Sequence, residues 1–148
     1  MRTILAALVL FAVLPAAATA QCNPVPGTGC SPTALPVQCG GTGQIGTPMK
    51  FACLNNGRTN LQLLLAGGCV PPFPLPGAVA CVTGPCSIGV GPQIIAIPMA
   101  AGGGSIGATV PNDPNLVGQS VCLQCADVIL SSAGACVAPG GAVSITFF

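Results

Sequence analysis

Gly107-Ala-Thr-Val-Pro-Asn-Asp-Pro-Asn-Leu-Val-Gly-Gln-Ser-Val-Cys-Leu-Gln-Cys-Ala-Asp127 carries the clearest structural signal in the chain. Ser105 to Val110 and Ser120 to Ile129 are β-favouring runs. The prolines and asparagines of Pro111 to Asn115 between them form a turn. The reading is strand, turn, strand.

Working outward, Ala142 to Phe148 sets Val143, Ile145 and Phe147 against Ala142, Ser144 and Thr146, the alternation of a half-buried strand. Upstream, Gln93 to Pro98 is a strong strand candidate, with weaker ones over Ile88 to Val90 and Ala78 to Thr83. Ala100 to Gly104 is a glycine loop. Val70-Pro-Pro-Phe-Pro-Leu-Pro-Gly77 reads as a polyproline-like connector, because prolines lack the donor that a central strand needs. Met49 to Leu54, the turn Asn55-Asn-Gly-Arg58 and Asn60 to Ala66 form a hairpin. An odd-length loop centred on Gly57 pairs Cys53 with Leu61, Phe51 with Leu63 and Met49 with Leu65 and makes one face apolar. No helical period persists beyond the N-terminal apolar run. Seven or eight short strands separated by turns predict an all-β fold, a single antiparallel β-sandwich of jelly-roll or Ig-like type.

Arg2, the apolar run Ile4 to Leu14 and the small residues Ala16-Ala-Ala-Thr-Ala20 have the form of a secretory signal peptide over 1–20. Residues 21–47, rich in Pro, Gly and Cys, read as an irregular segment packed on a sandwich domain over 48–148. Removing the leader from 148 residues leaves 128 that retain all ten cysteines. That density marks an exported chain stapled by disulfides.

Charge excludes more than it suggests. Beyond the leader only Lys50, Arg58, Asp113 and Asp127 are ionic, and they cancel. Nucleic acid and anionic membrane surfaces both require a cluster of cations, so neither is an expected partner. The apolar run of the leader is too short to span a bilayer, which takes about 20 residues. A terminal strand ending in Phe148 is a feature of outer-membrane barrels, but these strands are too short and too proline-bounded for one.

Ordered motifs along the chain carry a resemblance: Gly27-Thr-Gly-Cys30, Gln44-Ile-Gly-Thr-Pro48, Leu63-Leu-Leu-Ala-Gly67, Gly84-Pro-Cys-Ser87, Thr109 to Gly118 with Gln124, and Pro139-Gly-Gly-Ala-Val-Ser-Ile-Thr146. In these the chain resembles the β-sandwich modules that often close large secreted proteins of environmental bacteria. The resemblance implies a disulfide between Cys30 and Cys86 and no activity. The chain departs from such modules at Cys122 and Cys125, where aromatic residues are usual, and in its additional cysteines.

Ten cysteines pair in roughly 945 ways, so spacing does not fix the rest. Cys69 with Cys81, bracketing the proline run, and Cys22 with Cys39 are the pairings expected. Cys53, Cys122, Cys125 and Cys136 are left without assigned partners. Cys122-Leu-Gln-Cys125 has redox or zinc spacing, but on a strand the two side chains point to opposite faces, so a structural role and no metal is expected.

Acid–base chemistry finds little material. The chain has no His, Glu, Tyr or Trp, and Asp113 lies in a turn where aspartate is a common turn former. A serine activated by Lys50 lacks a serine motif nearby. Asn112, Asp113 and Asn115 offer oxygens as binding-loop residues, too few for a calcium shell. Sugar binding lacks a Trp or Tyr on which a ring stacks. No cofactor is expected. The expectation is a secreted, non-enzymatic structural or interaction module, extracellular or at the cell surface. Its contacts with a protein or surface polymer run through Ala100 to Gly104 and Pro111 to Leu116. The alternative is a self-assembling, surface-active coat protein, a homo-oligomer, motivated by the near-absence of charge.

Overall fold

The computed structural model describes residues 22–30, 35–54, 61–77, 79–81, 84–100, 103–132 and 134–148. The expected leader over 1–20 and the expected turn over 55–58 lie outside the described residues. The described residues form ten strands: β1 (Asn23–Pro24), β2 (Gly29–Cys30), β3 (Gln38–Gly41), β4 (Pro48–Cys53), β5 (Leu61–Pro74), β6 (Cys86–Met99), β7 (Gly104–Thr109), β8 (Ser120–Ser131), β9 (Gly134–Pro139) and β10 (Val143–Thr146). The described residues contain no α-helix, only a 3₁₀ turn over Pro114–Leu116. The fold is an all-β, disulfide-stapled sandwich of antiparallel sheets.

β8 is the organising strand. Leu61 to Gly67 of β5 pair along one side of it, while β10 and then β9 share the other. The large sheet runs β1-β10-β8-β5-β6-β2, with β9 on β8, and the small sheet runs β3-β4-β7. Cys122 to Asp127 are buried without a break, as a strand covered on both faces must be. Leu123 and Cys125 face the small sheet and pack with Met49, Cys53, Leu64, Val143 and Ile145. Cys122 and Ala126 face the other way and pack with Leu65 and Val90.

That second face is covered by the chain's own hairpin. The β5–β6 ladder shifts register between Ala66 and Gly68, and its far half folds over β8. The fold-back needs glycine, since a Cβ on Gly68 would lie 2.7 Å from the carbonyl oxygen of Gly91. The Gly91–Pro92 peptide at the same bend is cis.

Several expectations are corrected. β4 does not pair with β5: it lies between β3 and β7 in the small sheet, and the chain crosses to the large sheet before Leu61. Turn residues at Asn55–Arg58 signal a reversal but not which sheet receives the next strand, so the expected pairings of Cys53, Phe51 and Met49 do not form. The proline run is not a free connector. Its first part completes β5, with Phe73 and Pro74 opposite Ile88 and Ser87, and a register shift between Cys69 and Phe73 accommodates the missing donors. Within 21–47, the short strands β1, β2 and β3 pair with β10, β6 and β4.

Five disulfides use all ten cysteines: Cys22–Cys39, Cys30–Cys86, Cys53–Cys125, Cys69–Cys122 and Cys81–Cys136. The expected Cys69–Cys81 pair is replaced by two others. Cys69 lies just past Gly67, which is opposite Cys122, so the hairpin bend delivers it to β8. Cys81 instead runs beside β9, its N–H donating to the Val137 carbonyl at 3.0 Å, and meets Cys136. Cys122 and Cys125 bridge to different partners on opposite faces of β8, so neither is available to a shared metal ion.

Candidate functional site

Alternation in β4, β7, β5 and β8 sends one side chain in two into the space between the sheets. At one end Cys53 of β4 and Cys125 of β8 are bridged with their Cα atoms 5.7 Å apart, whereas packed sheets stand about 10 Å apart. Away from that bridge an apolar cleft of about 220 Å³ lies between the sheets. Buried Met49, Leu64 and Leu123 form its floor, and Phe51, Ile97 and Ile106 its walls. Ala66, Ala108, Pro111, Val121 and Phe147 surround the open end. Among the described lining residues Thr109 alone contributes a polar side chain.

Main-chain bonds fix the open end. Gly46 donates to the Val110 carbonyl at 2.9 Å and Val110 to that of Thr47 at 3.0 Å, which sets Pro111 in place. Phe147 is held likewise: its N–H donates to Gln119 at 3.0 Å, and its carbonyl accepts from Gly118 at 2.9 Å. Beside this opening, Ile95 stands opposite Ala66 on the same face of the ladder and is 65% exposed.

The ionic groups lie elsewhere. Lys50 is exposed, alternating in β4 with the cleft residues Met49 and Phe51, and so lies on the outer face of the small sheet. The Asp113 carboxylate accepts from the Asn115 N–H and from its side-chain Nδ2, both at 2.9 Å, and caps the 3₁₀ turn. One of the oxygens expected of a binding loop, Asp113 Oδ1, thus shapes the turn, and Asn112 packs beside Gly46. Asp127 is buried and accepts from the Gln62 amide at 3.0 Å. The two carboxylates do not share a cleft. Among the described residues no cluster of three or more His, Cys, Asp or Glu has the geometry to hold a metal ion, and no helix is long and apolar enough to cross a membrane.

Of the two loops expected to make contacts, Ala101 and Gly102 lie outside the described residues, whereas Pro111 borders the cleft. The cleft itself was not foreseen. Its residues obey the same alternation as any core position, and a gap between the two sheets leaves no local sequence signal. No protein-family model, curated protein or solved structure matches the chain.

Proposed function

We propose that this chain is an exported, non-enzymatic structural or interaction module that works outside the cell or at its surface. The observation that carries the reading is that all ten cysteines are bridged, a state that persists in oxidising compartments and not in a reducing cytosol. The absence of His, Glu and Tyr and the separation of Asp113 from Asp127 further support a non-catalytic role. Expression with its own leader tests the reading. The expected product is found outside the cytoplasm, begins at Gln21, contains no free thiol and enriches an envelope or matrix component in pull-downs. A reduced product retained in the cytoplasm with residues 1–20 attached would overturn it.

A second reading, self-assembly into a coat, is favoured by one edge. β2 meets β6 only at Ser87 and Cys86, and no other described strand pairs with the outer side of Ile94 to Pro98. Ile94 and Ile95 are exposed there, at 44% and 65%. An uncharged β-prone edge of this kind is a template for another strand. An assembling protein forms films or filaments and lowers surface tension; a monomer that leaves surface tension unchanged removes this reading.

A further inference from the structure

We infer that the cavity between the sheets is a binding site for a small neutral hydrocarbon or for the hydrocarbon tail of a larger neutral molecule. The inference goes beyond the reading above and does not depend on export. Three features of the cleft define its occupant.

The first is chemistry. Apart from Thr109 every described lining side chain is apolar, and Lys50 is on the far face of the small sheet, so none of these side chains would compensate a buried charge or a buried amide. An ionised carboxylate head meets no cation among the described lining residues. The second is size. A dry apolar cavity of ~150 Å³ holds benzene, so about 220 Å³ suits an alkyl chain of roughly six carbons, each methylene being bulkier than an aromatic CH.

The third is the frame. The Cys53–Cys125 bridge ties β4 to β8, both of which line the cleft, and main-chain bonds hold Val110 and Phe147 of its lining in place. Walls tied in this way do not readily close over the gap, and apolar surface left in water is unfavourable until covered. Ile95, exposed on the same face beside Ala66, extends the apolar surface outward from the opening. A chain that outgrows the cleft continues over it.

The protein carries its own reporter. Apart from Met1 in the leader, the methionines are Met49, which lines the cleft, and Met99, which belongs to the same core but does not line it. Oxidised mature protein with labelled methionine methyl groups is titrated with straight-chain primary alcohols of increasing length and followed by NMR. The Met49 methyl is expected to shift saturably while Met99 moves far less. Affinity is expected to rise about fourfold per added methylene and to level off beyond roughly six carbons. Ala66→Phe fills the cleft from the large sheet, and Ala108→Phe does so from an exposed position on the small one; each abolishes the shift. A Met49 signal that no alcohol moves, or that moves equally in both filled variants, would overturn the proposal. So would a Met49 shift that follows protein concentration without alcohol, which identifies a second copy of the chain as the occupant.

Discussion

Gln124 is the residue on which the covered face of β8 depends. It is wholly buried, and its amide joins three main-chain groups: Oε1 accepts from Gly89 N–H at 3.1 Å, while Nε2 donates to the carbonyls of Ser87 at 3.0 Å and Gly140 at 2.7 Å. Those partners lie 35, 37 and 16 residues away, on segments that sequence does not place beside β8. The glutamine stands out among apolar neighbours, yet its role is invisible until the hairpin folds back. Each orphaned buried group costs about 1–3 kcal/mol, so Gln124→Leu is expected to lower unfolding free energy by about 4 kcal/mol in denaturant titration under oxidising conditions. Gly140 is constrained at the same point, because a Cβ there would run into the Leu35 carbonyl oxygen. Gly140→Ala is expected to destabilise by about 2 kcal/mol or more, read as a lower midpoint in the same titration.

Among the elements, β8 and β10 were readable because each signal they carry is local: an apolar run for a strand covered on both sides, and alternation in Val143 and Ile145 for one at the sheet's flank. Sheet membership was not. β4 and β5 look like a hairpin because turn residues separate two apolar runs, and only the bridge from Cys53 to Cys125 reveals that the sheets face each other across that turn. Pro98 shows the same limit on a smaller scale. Lacking an N–H, it makes its pairing with Leu63 a non-hydrogen-bonded one, so by alternation the main-chain groups of Ala96 and Ile94 point away from β5. The open edge is therefore a consequence of register. If that edge assembles, Ile95→Lys converts a dimer or larger species to monomer in sedimentation velocity, whereas Leu130→Lys, equally exposed but distant in sequence, does not. Bridges also differ by the loops they close. Joint replacement of Cys53 and Cys125 by alanine opens a loop of 72 residues, worth about 4 kcal/mol, plus a void between the sheets. Replacing Cys22 and Cys39 opens one of 17, worth about 3 kcal/mol. Calorimetry is expected to rank the first pair as the more damaging.

At the level of the whole molecule, a single picture connects the near-absent charge, the abundant glycine and proline and the crossed-linked strands. The chain forms two sheets of unequal size, and the small one has only three strands to cover its side of the core. A sandwich of this kind leaves a gap between its sheets and exposes apolar side chains such as Ile95 and Leu130. Four of the five bridges span 53 to 72 residues. Nested loops do not add, but two independent closures already exceed about 5 kcal/mol, the low end of a domain's net stability. Oxidised sulfur thus supplies durability that a fuller core and an ionic surface provide elsewhere. Thermal unfolding of the mature protein, followed by circular dichroism before and after complete reduction with thiols counted by mass spectrometry, tests this most directly. The expected result is a cooperative transition when oxidised and loss of the β-sheet signal at ambient temperature once every bridge is open. A fully reduced protein that melts at the same temperature as the oxidised one would contradict it.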